Sequence, residues 1–366
     1  MKTKLILKDG EIFEGQSFGY EQPRSGELVF STGMVGYPES LTDPSYEGQI
    51  LVCTYPIIGS YGVPDKKFWE SDKIHVSGLI VSQYIDTPSH FQNQMTLGEW
   101  LKKEKIPGLV ITNTRYLTQK LRDEGAQLAK IVFDTSTPSI SLRTSSLSIN
   151  FDDPNKKNLV DVVSTKKVIV DNYLRDGRPQ DNNKRIKTII LIDCGTKKNI
   201  IRSLIARGVK VITVPWDYDI FSLKEKIDGV IVSNGPGDPK MADVTIETVK
   251  KIMSKKIPLL GICLGNQILA LAAGGDTFKM KFGHRGQNQP CIMVGTKRCF
   301  LTTQNHGFAI KKIPESFSPW FVNANDNTNE GIIHKKYPFM SVQFHPEACP
   351  GPTDTEWVFD KFLERL

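Results

Sequence analysis

A continuous apolar run at residues 188–192 limits what this chain can fold into, with further strands read at 209–214, 229–232 and 257–262. A strand that alternates apolar and polar side chains buries one face; a run without alternation must be covered on both. Between these runs the period changes to 3.6. Ile200, Ile201, Leu204 and Ile205 form one stripe that ends at Gly208, a second helix falls near residues 243–253, and a short apolar helix over 264–273 closes at Gly274-Gly275. Repeated strand–helix units predict an α/β domain over residues 187–366, with a mainly parallel central sheet and helices on both faces. A further apolar strand covers 339–342. Thr353-Asp354-Thr355-Glu356 reads as a capping box for a last helix carrying Trp357, Phe362 and Leu363.

Residues 1–173 have a different texture and predict an α+β domain. Leu5-Ile6-Leu7 and Ile12-Phe13 flank Asp9-Gly10, the signal for a type I′ hairpin. Further strands are expected at 28–30, 50–52 and 76–81. Thr96-Leu97-Gly98-Glu99 is a capping box that opens a helix through Trp100 and Leu101, and a second helix runs from Thr114 to Gly125. Between the two textures, residues 174–186 are polar and turn-rich and read as a linker. No internal repeat is visible. The division is therefore 1–173, linker 174–186, and 187–366, in keeping with two domains at about 150 residues each.

Composition excludes several classes. Hydrophobic residues make up 39% of the 366, too many for wholesale disorder. The net charge of +7 is a mild excess, and pairs such as Lys250-Lys251 and Lys255-Lys256 read as solvated helix faces, not as a nucleic-acid stripe. No run of 18 apolar residues is present to span a membrane. The chain enters directly into strand and turn at Lys4-Leu5-Ile6-Leu7-Lys8-Asp9-Gly10, which does not resemble a targeting peptide. The six cysteines have neither CxxC nor zinc-type spacing, so reduced thiols in a cytoplasmic setting are expected, without disulfides or a structural metal.

One of those cysteines stands out. Gly261-Ile262-Cys263-Leu264-Gly265 places Cys263 between a buried strand and a helix, the thiol counterpart of a G-x-S-x-G elbow. A helix N-terminus favours negative charge and hence the thiolate. A buried structural cysteine is the plainer alternative. A thiol nucleophile needs a base and a group to orient it. Gln343-Phe344-His345-Pro346-Glu347 follows the strand 339–342, and in extended backbone His345 and Glu347 project to the same side. Taken alone, His345 reads equally as a satisfied histidine. The loop Ser233-Asn234-Gly235-Pro236-Gly237-Asp238-Pro239 follows the strand 229–232, at the sheet end where α/β sites lie. Its N–H groups suit an oxyanion, or it is a plain turn. It lacks the GK[ST] of a phosphate loop.

At these three places the sequence resembles the class I, or triad, glutamine amidotransferases. The resemblance implies that Cys263 attacks the glutamine side-chain amide, His345 shuttles the proton and Glu347 orients His345. Thr32-Gly33-Met34-Val35-Gly36-Tyr37-Pro38-Glu39, Leu41-Thr42-Asp43-Pro44-Ser45-Tyr46, Arg285-Gly286-Gln287-Asn288-Gln289-Pro290 and Gln304-Asn305-His306-Gly307-Phe308 look like the carbamoyl-phosphate synthetase small subunit family. They are similar to the glutaminase region that begins the eukaryotic multifunctional pyrimidine-synthesis proteins. By that resemblance Ser45, Gly235, Gly237, Leu264, Gln267, Asn305, Gly307 and Phe308 match glutamine-binding positions, and the oxyanion hole uses the N–H groups of Gly237 and Leu264. Two positions depart from the family pattern. Gly265-Asn266-Gln267 replaces Gly-His-Gln, and Asn113-Thr114-Arg115 replaces Asp-Thr-Arg. Asn266 resembles the ammonia-dependent urea-cycle relative, which has also lost its cysteine; here Cys263 remains.

The expected function is hydrolysis of L-glutamine and delivery of ammonia to a carbamoyl-phosphate synthetase large subunit or fused synthetase domain, feeding pyrimidine or arginine synthesis. No ATP-binding motif or metal site is apparent, so ATP, bicarbonate and Mg are expected on the synthetase partner. Neither nucleic acid nor membrane is expected as a partner. The rival readings are a regulatory or structural module with an impaired site, and another class I amidotransferase.

Overall fold

A computed structural model describes residues 2–133, 149–172 and 185–366. Two compact units divide it, Met1–Lys157 and Asn158–Leu366.

The first unit contains β1 (Lys2–Leu7), β2 (Ile12–Ser17), β3 (Arg24–Ser31), α1 (Tyr37–Leu41), β4 (Gln49–Cys53), β5 (Ile57–Ile58), β6 (Gly78–Val81), β7 (Gln83–Tyr84), α2 (Leu97–Lys103), β8 (Gly108–Val110), α3 (Thr114–Glu124) and β9 (Gln127–Phe133). Seven of these strands close into a barrel in the order β1-β2-β8-β6-β4-β3-β9. Closure was not legible in the sequence, because β1, besides its local hairpin with β2, must pair with β9 more than 100 residues away. Alternation along the strands sorts the core into two layers. Leu28, Ile50, Val52 and Ile80 join the cluster that draws on all seven strands, with Leu117 and Leu121 of α3 against it. Val29, Leu51, Leu79 and Val81 face the other way and pack with Trp69 and Trp100.

Local signals in this unit mostly held. Thr96 Oγ1 accepts from the Glu99 N–H at 3.2 Å while the Glu99 carboxylate accepts from the Thr96 N–H at 2.9 Å. Asn113 caps α3 by accepting from the Tyr116 N–H, a bond that aspartate at this position would also make. The first hairpin differs from expectation. Its loop has three residues, with Gly10 N–H donating to Leu7 O and φ of 98° at Gly10. A type I′ turn needs positive φ at two adjacent residues, and Asp9 does not adopt it.

The second unit contains α4 (Leu159–Val163), β10 (Ile169–Asp171), β11 (Thr188–Asp193), α5 (Lys198–Ala206), β12 (Lys210–Pro215), β13 (Gly229–Val232), α6 (Asp243–Ser254), β14 (Leu259–Ile262), α7 (Leu264–Ala272), β15 (Asp276–Met293), β16 (Cys299–Lys312), β17 (Phe317–Asn323), β18 (Asn329–His334), β19 (Phe339–Val342) and α8 (Trp357–Leu363). Its sheet runs β10-β12-β11-β13-β14-β19-β18-β17-β15-β16. The five strands from β12 to β19 are parallel, and every other pairing is antiparallel. The sheet is thus mixed, not mainly parallel: β15 to β18 add an antiparallel half beside the parallel one. In the parallel half, alternate residues serve opposite faces. Ile190, Ile192 and Val232 pack under α6 and α7, while Ile189, Leu191 and Ile231 pack under α5 and α8.

Two further expectations are corrected. The second unit begins at Asn158, not after residue 173, because β10 pairs with β12 and Val160 of α4 enters the core beside Ile192 and Trp216. Of the expected linker 174–186, residues 174–184 lie outside the described residues. At the last helix the capping box is not made. Glu356 occupies the N-cap in helical conformation without a side-chain bond, and the buried Thr355 hydroxyl has no partner.

Packing should outweigh capping around α2. Trp100 is fully buried against Trp69. Trp100→Ala is expected to lower unfolding stability by about 3–5 kcal/mol, and Thr96→Ala by about 1 kcal/mol, both measured by denaturant titration. A Thr96→Ala loss equal to the Trp100→Ala loss would reverse this ranking.

Candidate active site

The elbow forms where β14 ends. Cys263 has φ 53° and ψ −100°, a left-handed conformation rare for a side chain with a Cβ, and its N–H donates to Val342 O at 2.9 Å. The flanking glycines have a measurable reason. A Cβ on Gly261 would lie 2.4 Å from Gly265 O, and one on Gly265 would lie 2.2 Å from Val232 O. Only hydrogen fits at either place, so the first turn of α7 rests directly on the sheet. The third loop is drawn in the same way. A Cβ on Gly235 would meet Cys194 O at 2.0 Å and the Leu264 side chain at 2.9 Å, and Gly237 has φ of 82°.

Cys263 is buried. Its thiol lies 3.7 Å from Asn305 O and 3.6 Å from the Gln343 amide nitrogen. His345 and Glu347 reach each other by a different route from the one expected. The backbone is not extended there: Ala348 N–H donates to His345 O across a turn. That turn still brings His345 Nδ1 to 2.6 Å from Glu347 Oε1. The His345 N–H donates to Thr303 O, which lays this segment beside β16. Among the described residues, His345 Nε2 is buried without a hydrogen-bond partner of ordinary geometry, and the ring interacts with Cys263. Nε2 is the ring nitrogen left for the thiol.

The electrostatics agree with the geometry. Burial works to discharge His345, but the Glu347 charge and the adjacent Cys263 overcome it and hold the imidazole's proton affinity well above its ordinary value. Burial also opposes charge on Glu347, and there Lys197 and His345 win, so the carboxyl stays well below the usual carboxylate range. Lys197 Nζ lies 3.2 Å from Glu347 Oε1 and also donates to Ala348 O. The lysine is 2% exposed, which is rare for this residue type without a charge partner. Its backbone N–H donates to Asn234 Oδ1 at 3.0 Å, tying it to the Gly235–Gly237 loop.

Sequence reasoning missed Lys197. Its signal was position: it follows β11 at the C-terminal end of the parallel strands, where the Cys263 elbow and the 233–239 loop also lie. Gln343 was quoted without a structural role, and Asn266, on the first turn of the elbow helix, was expected either to support the elbow or to touch a partner interface. Gln343 Oε1 accepts from Asn266 Nδ2 at 3.0 Å and Gln267 Nε2 at 3.1 Å, and Asn266 Oδ1 accepts from Ser341 Oγ at 2.8 Å. Asn266 is therefore a buried brace between elbow helix and sheet, not a residue at a partner interface.

Of the expected glutamine contacts, Leu264, Gln267, Asn305 and Phe308 gather around Cys263. Gln267 Nε2 donates to Phe308 O at 2.7 Å. Gly235 lies against Leu264, and Gly307 follows on β16 beside Arg285. Ser45 belongs to the first unit, buried in a short turn where Asp43 accepts from its N–H. A thiol, an imidazole with one free nitrogen and a buried carboxylate in this order suit nucleophilic acyl transfer through a thioester.

Two family models match the chain. Residues 190–365 match the family described as glutamine amidotransferase class-I, and residues 5–131 match the carbamoyl-phosphate synthase small chain, CPSase domain. The chain is 50% identical over 98% of its length to the multifunctional protein CAD of Squalus acanthias, and 47% identical over 99% to the multifunctional protein URA2 of Saccharomyces cerevisiae. It spans only 16% and 17% of those proteins. The carbamoyl phosphate synthase small chain of Pyrococcus furiosus is 43% identical over 100% of this chain and 98% of its own length. With that coverage in both directions, the chain belongs to the carbamoyl-phosphate synthase small chain family.

Proposed function

We propose that this chain is a glutaminase component: it hydrolyses L-glutamine through a Cys263 γ-glutamyl thioester and delivers ammonia to a carbamoyl-phosphate synthetase partner. The observation that carries this reading is the elbow thiol beside an imidazole whose other nitrogen is held by Glu347. Cys263 attacks the amide carbon, and His345 passes a proton to the leaving nitrogen, so the C–N bond breaks and ammonia departs. Water, deprotonated by His345, then splits the thioester and releases glutamate. Glu347 and Lys197 keep the imidazole oriented and favour its charged form during the first step.

The N–H groups of Gly237 and Leu264 form the oxyanion hole in this reading. No backbone carbonyl accepts from either among the described residues, and the first N–H of a helix has no intrahelical acceptor. Gly235, Gln267, Asn305, Gly307 and Phe308 of the second unit hold the substrate. The partner is a large subunit or a fused synthetase region that uses ATP, bicarbonate and Mg, feeding pyrimidine or arginine synthesis. The setting in this reading is cytoplasmic; no helix among the described residues is long and apolar enough to cross a membrane.

Cys263→Ala is expected to abolish glutamine hydrolysis and leave ammonia-dependent synthesis by the complex intact. A glutamine-analogue electrophile should label Cys263 in the parent protein. Absence of any adduct would support an impaired regulatory module instead. Glu347→Gln should lower kcat by roughly 10²–10⁴-fold, short of the background level of Cys263→Ala, because the carboxylate forms no bond to substrate. Equal inactivity of the two variants would give Glu347 a larger role.

Lys197→Met tests the buried charge chain. Lys197 lowers the Glu347 value and burial raises it. Without the lysine, Glu347 takes up its proton at higher pH, so the acid limb of the kcat/KM profile moves up in pH. Breaking a buried pair should also cost about 3–5 kcal/mol of unfolding stability. An unmoved acid limb with normal stability would remove Lys197 from the site.

A further inference from the structure

Beside the nucleophile lies a second buried polar chain that the hydrolytic steps do not use. His284 sits between two carboxylates, with Nδ1 at 3.2 Å from Glu330 Oε1 and Nε2 at 3.0 Å from Asp326 Oδ2. The Gln304 amide bridges Glu330 Oε2 and His306 Nε2, each at 3.0 Å. His306 Nδ1 lies 2.8 Å from Phe308 O. The same carbonyl receives Gln267 Nε2 from the elbow helix. His284, His306 and Glu330 have the spacing of metal ligands. Both nitrogens of both rings already face protein partners, however, so none is left to bind a cation.

Donor and acceptor matching narrows where the protons are. Phe308 O can only accept, so His306 Nδ1 carries a proton. Two arrangements then complete the chain with the same number of protons. In one, His306 is an imidazolium donating to Gln304 Oε1, and Gln304 Nε2 donates to an ionised Glu330. In the other, the Gln304 amide is turned by half a rotation. Its nitrogen donates to a neutral His306, and its oxygen accepts from a protonated Glu330; the Thr302 hydroxyl, 3.1 Å from the same amide position, must then turn from Gln289 O to donate to that oxygen, with the Cys291 thiol 3.3 Å away. The first buries one extra positive and one extra negative charge; the second buries neither.

We propose that Glu330 carries a proton at neutral pH and, through the turned Gln304 amide, holds His306 as the neutral Nδ1–H tautomer, making Glu330 and Gln304 positioning residues for the 305–308 segment beside Cys263. Burial pushes the Glu330 carboxyl up, and burial together with the His284 charge holds His306 well below its ordinary value. The charged or titratable groups facing Glu330 are His284, Asp326 and Cys291; those facing His306 are His284, Arg285 and His345. With Glu330 neutral, Asp326 at 3.0 Å from Nε2 is the carboxylate left to pair with His284, because the Glu330 charge no longer raises the His284 value. The link to glutamine binding rests on the function proposed above; the placement of the protons does not.

The test has two readouts. In protein labelled with ¹⁵N-histidine, the signal lost in His306→Gln should report a neutral ring with hydrogen on Nδ1 at pH 7. An imidazolium there, or hydrogen on Nε2, would overturn the proposal. In kinetics, Glu330→Gln mimics a protonated carboxyl and should keep KM for glutamine within about twofold, whereas Glu330→Ala should raise it about tenfold or more with a smaller change in kcat. Loss in Glu330→Gln equal to that in Glu330→Ala, or an unchanged KM in both, would sink the positioning role. If Glu330→Ala does not fold, Glu330→Gln still decides, since an essential ionised carboxylate would show as its impairment. A parent protein that consumes no glutamine would count against the glutaminase reading, while the imidazole signal would still decide where the proton sits.

Discussion

The backbone contact between the first turn of α7 and the neighbouring strand sets the position of everything else in the site. Gly265 approaches Val232 O so closely that a methyl group would sit 2.2 Å from it. The Gly265 N–H donates to Ser233 O at the same crossing. The contact fixes the height of the elbow over β13 and β14, and so fixes Cys263. Gly235 makes the same kind of approach to Cys194 O. Three strand ends, β11, β13 and β14, are thereby drawn together, with the Cys194 and Lys197 N–H groups donating to the Ser233 and Asn234 side chains across the same junction. Each contributes a loop to the site: Lys197 from the first, Asn234 to Gly237 from the second, Cys263 from the third. The strained φ of Cys263 is a consequence. With no room to swing the helix away, the residue between strand and helix takes up the turn.

Placing Lys197, Glu347 and His345 together inside the protein is costly unless each meets a partner. Here the lysine bonds both the carboxylate and Ala348 O, and the carboxylate bonds the imidazole. Among the described residues, His345 Nε2 and Glu347 Oε2 remain without a hydrogen-bond partner of ordinary geometry. An unsatisfied buried nitrogen on a ring beside a thiol is where a proton can be taken up. The turn at His345–Ala348 matters for the same reason. It shortens the path between imidazole and carboxylate to one hydrogen bond, where an extended segment would rely on side-chain length alone.

The parallel half of the sheet was legible because its strands are apolar without alternation, which leaves one physical solution. The elbow was legible because glycine, cysteine and glycine at that spacing, between a buried run and a helix, have few uses. The first unit was harder. Its strands were visible singly, but barrel closure depends on pairings such as Leu5 with Ile131, set by shape over a long separation and not by local pattern. The boundary at residue 158 was hidden for a related reason. Residues 169–171 are a short exposed edge strand whose membership is decided by β12. Lys197 was invisible because a lysine in a loop normally signals solvent. Only the carboxylate brought in from residue 347 makes its burial intelligible.

The same reasoning explains the departure at residue 266. A histidine there would carry one neutral donor and one acceptor on a ring. Asparagine carries a donor on one side and an acceptor on the other side of a flat amide. The structure uses both: Nδ2 to Gln343 and Oδ1 from Ser341. Gln343 in turn places its own nitrogen 3.6 Å from the thiol and its oxygen on Gln267. The Asn266 side chain thus reaches the thiol through Gln343, while its backbone N–H donates to Cys263 O at 3.1 Å; it cannot act as a base because its amide does not titrate near neutral pH. A side-chain change at this position acts on turnover through the bracing of Gln343 and Ser341. The departure from the family pattern therefore falls on the bracing of the elbow and not on Cys263, His345 or Glu347 themselves.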